Sequence, residues 1–472
     1  MDTKEILGYA AGSIGSAVLA VIILPLLSWY FPADDIGRIV LMQTAAGLTV
    51  SVLCLGLDQA YVREYYAAAD KDTLFKTLFL PPLLSAAAIA ALLLSRPSLP
   101  SEILFSLDDA AAGIGLVLFE LSFLPIRFLL LVLRMEGRAL AFSSAQLVSK
   151  LAILLLPLTV GLLHFPANTA VLTAVYALAN LAAAAFLLFQ NRCRLKAVRR
   201  APFSSAVLHR GLRYGIPIAL SSIAYWGLAS ADRLFLKKYA GLEQLGVYSM
   251  GISFGGAALL FQSIFSTVWT PYIFRAIEAN TPPARLSATA ESASALLAAA
   301  VCLTGIFSPL ASLLLPENYA AVRFIVVSCM LPPLFCTLVE ISGIGLNVVR
   351  KTRPIALATL GALAANLLLL GLAVPSGGAR GAAVACAASF WLFFVFKTES
   401  SCRLWQPLKR LPLYTHTLLC LTSSAAYTCF GTPANYPLFA GVWAVYLAGC
   451  ILRHWKDLHK LFHYLKKQGF PL

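Results

Sequence analysis

An apolar stretch of roughly 20 residues, the length a helix needs to cross a hydrocarbon core, recurs about 14 times along this chain. Ala17–Leu27, Ile153–Leu163, Ala293–Leu315 and Leu438–Leu452 are clear samples. Only helices and closed barrels satisfy their backbone in lipid, so this repetition requires an all-α polytopic membrane protein. The expected spans are approximately 6–30, 39–57, 77–95, 109–133, 139–163, 168–190, 214–231, 245–268, 291–315, 324–348, 355–374, 381–396, 412–430 and 435–452. They leave only short connections, so any function sits in the bundle or at its faces. A large extramembrane catalytic domain is excluded. The first apolar run is of full helix length with no small-residue cleavage site after it, and reads as a retained span rather than a signal peptide.

A net charge of +15 suggests nucleic acid, but the distribution points to topology instead. Of 36 lysines and arginines, Arg38, Arg96, Arg233, Lys237, Lys238, Arg323 and Arg380 fall on one side, and Arg127 and Lys150 lie within spans. The rest fall on the side of the termini, which the positive-inside rule makes cytoplasmic. Attraction to anionic membrane lipids is a by-product. The ten cysteines show no C-x-x-C spacing and the histidines no ligand pattern, so neither a disulfide framework nor a metal site is expected.

The most basic connection, 191–213, divides the chain into an N-lobe of six helices (1–190), a C-lobe of six (214–396), and a final helix pair with a basic tail (397–472). A faint repeat supports the division. Trp29–Gly37 aligns with Lys238–Gly246 at an offset of 209 residues, with Tyr, an acid and Gly coinciding. Each segment joins the first and second spans of its group, a parallel-repeat arrangement. Pro125, Pro217 and Pro332-Pro333 interrupt spans and are candidate gating kinks, although membrane helices tolerate proline generally. The thirteenth span, near Thr415–Phe430, is rich in Ser and Thr.

Ionisable residues within spans are costly and mark functional interiors. Glu120, Arg127 and Arg134 are spaced by seven, nearly two whole turns, so they share one face of the fourth span. Lys150 lies in the fifth span one turn after Gln146. Asp232 and Arg233 end the seventh, and Glu340 lies inside the tenth. This pattern fits a water-filled cavity with a cationic floor for an anionic substrate, balanced by acids. The structural alternative is pairing of Glu120 with Arg127 on one helix, with Asp232 and Arg233 at the membrane interface. There is no P-loop, H-E-x-x-H, G-x-S-x-G or acidic metal cluster, so no ATP motor, catalytic residue, metal or cofactor is expected.

Asp232-Arg233-Leu234-Phe235-Leu236-Lys237-Lys238-Tyr239 followed by Leu245-Gly246-Val247-Tyr248-Ser249 resembles the seventh-to-eighth helix junction of Wzx-type lipid-linked oligosaccharide flippases. These are polysaccharide exporters of the multidrug/oligosaccharidyl-lipid/polysaccharide (MOP) exporter superfamily. Trp269-Thr270-Pro271-Tyr272, Gly56–Glu64, Gly343–Asn347 with Lys351-Thr352, and Gly378–Ala383 fit the same group in order and spacing. The resemblance implies two six-helix lobes forming a V, plus the C-terminal pair. It implies alternating-access flipping of an undecaprenyl-pyrophosphate-linked oligosaccharide across a bacterial inner membrane. It carries substrate binding to Arg127 and Lys150, then to Arg63 and Arg233. Glu120, Asp232 and Glu340 become candidates for coupling to H⁺ or Na⁺. The nearest alternative is a multidrug antiporter of the same superfamily, which would want acids for cationic drugs. Another class is a polysaccharide polymerase or ligase, which needs a long outside loop that is missing here. A third is a non-transporting membrane scaffold with structural charges.

Overall fold

The computed structural model describes residues 3–162, 168–259, 262, 265, 269, 273, 286–349 and 351–467. Every regular element among them is helical. The chain forms two compact units, Met1–Ser249 and Met250–Leu472. Among the described residues, eight helices are long and apolar enough to cross a membrane. Thr270, Pro271 and Tyr272 of the resemblance segment, and the end of the expected eighth span, lie outside the described residues.

The first unit contains α1 (Thr3–Leu27), α2 (Ala33–Cys54), α3 (Leu57–Glu64), α4 (Lys71–Leu94) and α5 (Leu99–Phe105). It continues through α6 (Ala110–Met135), α7 (Ala139–Leu162), α8 (Thr169–Gln190), α9 (Arg192–Arg200) and α10 (Ser205–Tyr239), ending inside α11 (Leu242–Gly255). Four of the long helices begin with a side-chain cap. Asp70, Asp109, Asn168 and Ser204 accept hydrogen bonds from the first free N–H groups of α4, α6, α8 and α10. Each such cap satisfies helix-end donors that have no partner within the helix. α6 packs along α8, and α7 along α1 and α8. The basic connection is ordered as α9, whose Val198 is buried in the core around Tyr61, Phe75 and Phe128. Arg194 ties it down by pairing with Glu136 and with Asp72 at 3.4 Å.

α10 corrects one expectation. The helix that carries the expected seventh span does not stop at Asp232 and Arg233; it runs on to Tyr239, and Asp232 is only 2% exposed. Both charges therefore sit within a packed helix. α10 lies antiparallel against α2. Gly215 meets Gly56, Trp226 meets Gly47, and Arg233 reaches Thr44. At the far end Gly37 and Gly246 close the contact: a Cβ on Gly37 would meet the Leu242 carbonyl at 2.4 Å, and one on Gly246 the Ala33 carbonyl at 2.1 Å.

The second unit contains α12 (Leu286–Phe307), α13 (Leu310–Leu314), α14 (Val322–Ser342) and α15 (Ile344–Val348). It ends with α16 (Thr352–Leu404), α17 (Arg410–Phe430) and α18 (Tyr436–Lys467). α16 joins two expected spans across one non-helical residue, Gly378 (φ 50°, ψ −130°). Pro125, Pro217, Pro332 and Pro333 all remain within continuous helices. The Ser/Thr-rich α17 forms and is held by its hydroxyls. Thr428 bonds Ser328 (2.7 Å) and the Phe324 carbonyl (2.9 Å), Trp391 donates to Thr417 (3.0 Å), and Tyr427 bonds Ser308 (2.9 Å). Such interhelical bonds replace hydropathy where lipid gives helices no reason to associate.

Candidate functional site

The site begins at the end of α2. Leu55 and Gly56 both have positive φ (45° and 73°), so α2 stops and α3 starts in a new direction. Gly56 is required twice over, by its conformation and because a Cβ would lie 2.2 Å from the Gly215 carbonyl. The turn brings Asp58 beneath α6. There Arg127 donates from Nε (3.1 Å) and Nη2 (2.7 Å) to Asp58 Oδ2, and Gln59 donates to the same oxygen (2.9 Å). Asp58 is buried, but 48% of the Arg127 side chain is exposed, into a cleft of about 350 Å³ between α2, α3, α6 and α10. Ser51, Gln59 and Ser222 add polar groups to walls that are otherwise mostly apolar. The arrangement presents an oriented guanidinium with spare donors beside a carboxylate that already neutralises it.

Arg233 lies farther along the same α2–α10 seam. It donates to Thr44 Oγ1 (3.3 Å) and Ser230 Oγ (3.1 Å), while its Nε is buried without a partner. No carboxylate pairs with Arg233 among the described residues. Its neighbour Asp232 turns elsewhere, accepting from Tyr248 Oη and from the Arg233 N–H (2.8 Å). Arg63, on α3, stacks 4.1 Å from the ring centroid of Tyr214 on α10.

The remaining sequence-selected residues scatter. Lys150 is on α7, outside the cleft lining, with no hydrogen-bond or ion-pair partner among the described residues. Glu120 does not pair with Arg127. It opens into a separate, apolar chamber, and neither carboxylate oxygen has a hydrogen-bond partner among the described residues. The expected stripe on α6 is thus divided between two cavities. In the second unit Glu340 accepts from Gln262 (3.1 Å), and its other oxygen is buried and unpartnered. Lys397 interacts electrostatically with Glu340 and sits over the Phe393 ring at 5.0 Å.

Sequence reasoning missed Asp58 and Lys397 as site residues. Asp58 stands directly after the Leu55-Gly56 turn, and an acid at a glycine turn facing an in-span arginine is a readable signal. Lys397 follows the expected end of its span by one residue, and only the continuation of α16 to Leu404 places it inside.

The architecture matches solved membrane transporters. A lipid II flippase MurJ in an inward closed conformation aligns with a TM-score of 0.69, at 11% identity, over 95% of this chain and 99% of that one. A multidrug resistance MATE family transporter of the MOP superfamily aligns in its outward-facing conformation at 0.55, with 14% identity over 88% and 96% of the two chains. An inward-facing conformation of such a transporter aligns at 0.54, with 14% identity over 83% and 95%. At these identities the likeness is one of fold. No protein-family model and no curated protein sequence matches the chain.

Proposed function

We propose that this protein flips an undecaprenyl-pyrophosphate-linked oligosaccharide across a bacterial inner membrane by alternating access, for assembly of a surface polysaccharide. The observation that carries the reading is the pair of arginines along the α2–α10 seam. Arg127 reaches into the cleft, and Arg233 has only hydroxyl partners for its bonded donors. A half-buried guanidinium without an acid is a poor structural element but a good phosphate ligand, because its planar fork matches phosphate oxygens. The shared fold with a lipid II flippase supports the same reading.

In this reading Arg127 and Lys150 are the first ligands of the pyrophosphate, and Arg63 and Arg233 meet it at other points along its path. The lobes 1–190 and 214–396, joined by the 191–213 connection, form a V and rock about the midplane, and residues 397–472 form the final helix pair and basic tail. The lipid tail stays in the bilayer, and both termini are cytoplasmic. Glu120, Asp232 and Glu340 are the acids available for H⁺ or Na⁺ coupling.

The test is the leaflet distribution of undecaprenyl-linked oligosaccharides in cells with and without the gene. The flippase reading expects intact units on the cytoplasmic face when the gene is lost. Accumulation of single units outside would assign the protein to a later, polymerase- or ligase-like step.

A further inference from the structure

The chamber around Glu120 is built differently from the Arg127 cleft. Its volume is about 300 Å³, and α2, α4, α5 and α6 line it with apolar side chains except Thr49 and Glu120. The carboxylate oxygens of Glu120 are buried, no basic group pairs with them among the described residues, and the Thr49 hydroxyl is the one polar side chain beside them.

Charges on the surrounding helices are committed elsewhere. On α2, Asp35 pairs with Arg38 (2.7 Å) and accepts from Thr169. On α4, Lys76 donates to the Arg199 and Ala201 carbonyls. On α5, Glu102 takes Arg96 (3.3 Å) and Ser98 (2.8 Å). On α6, Arg127 is held by Asp58, and on α10 Lys237 donates to the Ile103 carbonyl (2.6 Å) at the chamber wall. No basic side chain lines the chamber.

We propose that Glu120 is a proton-carrying residue of this protein and that its chamber takes H⁺ and not Na⁺. A bare carboxylate in an apolar cavity is far costlier than a neutral acid. A hard metal cation instead is held by a cage of about six oxygens. This chamber offers the two of Glu120 and the hydroxyl of Thr49. The proton binds when the chamber is dry and leaves when water enters.

The position also links proton and substrate. α2 presents Ala45, Thr49 and Leu53 to the chamber and Ala46, Val50 and Ser51 to the Arg127 cleft. α6 does the same with Leu116, Val117 and Glu120 on one side and Phe123, Ile126 and Arg127 on the other. These two helices are a shared wall, so hydration of one cavity shifts the other. This role rests on the transport reading, but the presence of the proton does not.

The test is infrared spectroscopy of the full-length protein in lipid, without substrate. The expected result is a neutral carboxylic C=O band at neutral pH that is absent from Glu120→Gln, displaced in Glu120→Asp, and equal in sodium and potassium buffers. The band should disappear reversibly as pH is raised. Wild-type and Glu120→Gln spectra that superimpose in this region would overturn the proposal. A band removed by sodium at constant pH would make the chamber a sodium site. A band that never titrates would make Glu120 a static neutral acid. Because no oligosaccharide is present, failure here leaves the flippase reading to its own experiment.

Discussion

Gly37 and Gly246 make the same contact twice. Gly37 lies against the Leu242 carbonyl and Gly246 against the Ala33 carbonyl, and each residue of one pair is 209 positions from its counterpart in the other. That is the offset of the repeat seen in the sequence. The two aligned segments therefore pack on each other about a local pseudo-two-fold, where self-complementary contacts are reciprocal.

This symmetry has a measurable consequence. Gly37→Ala and Gly246→Ala should each lower the melting temperature by a similar amount, corresponding to about 1–3 kcal/mol of overpacking against backbone. The double variant should fall short of the sum, because the sites share one interface. Gly441→Ala, where a new Cβ meets open space, serves as the control and should be near neutral. Independent, additive losses at Gly37 and Gly246 would show that the contacts are unrelated.

Asp58 and Arg127 should behave as a competing pair. Asp58→Asn leaves the guanidinium unneutralised, so inorganic pyrophosphate should bind several-fold more tightly than to wild type, a gain of about 1 kcal/mol. Arg127→Gln should bind it least and reduce oligosaccharide export at least tenfold, about 1.4 kcal/mol. Calorimetric titration of purified variants decides the first point, and surface polysaccharide in complemented cells the second. Tighter binding by Arg127→Gln than by wild type would remove Arg127 from the anion site.

Two natural cysteines report the orientation. Cys193 at the start of α9 and Cys429 near the end of α17 are both exposed. With the termini cytoplasmic, Cys193 falls inside and Cys429 outside. An impermeant thiol reagent applied to intact spheroplasts should modify Cys429 alone, and Cys193 should react only after permeabilisation. Labelling of both before permeabilisation is incompatible with that topology.

The cap of α4 should carry a pH signature. The carboxylate of exposed Asp70 is held below its usual pKa by hydrogen bonds from the Thr73 hydroxyl and then the Thr73 and Asp72 N–H groups. A depressed folded-state pKa means stabilisation that is present above the unfolded carboxylate range and is lost as pH falls through the folded value. The melting difference between wild type and Asp70→Ala should thus be constant from neutral pH down to the ordinary carboxylate range, then close in stronger acid. A difference that widens on acidification would contradict the hydrogen-bond assignment.

The all-helical, membrane-spanning character was legible because hydropathy is local, and eight helices among the described residues are long and apolar enough to cross a membrane. Glu120, Arg127 and Glu340 stood out as ionisable residues within apolar runs; Arg127 lines the α2–α3–α6–α10 cleft, Glu120 a separate apolar chamber, and Glu340 accepts from Gln262. Their partners were not legible. Asp58 meets Arg127 only through two left-handed residues that redirect the chain over 69 positions of separation. The apolar average also ended a span at Asp232, where the helix continues because Tyr248 and its own neighbour's N–H satisfy the acid. Lys397 was hidden likewise, at the edge of an apolar run that the backbone does not respect.

The Asp58–Arg127 pair also bears on the electrical work of a transport cycle. Moving a lone guanidinium through a membrane field exchanges about 2.3 kcal/mol per 100 mV. An arginine that travels with its own carboxylate is a dipole with no net charge, so the pair itself can reorient in the empty cleft with little voltage penalty. A pyrophosphate between the two side chains leaves their sum at zero, and the charge that the field acts on is then the cargo's own. In a flippase of this design, membrane potential would act chiefly in the loaded half of the cycle, on the anionic cargo and not on the pair.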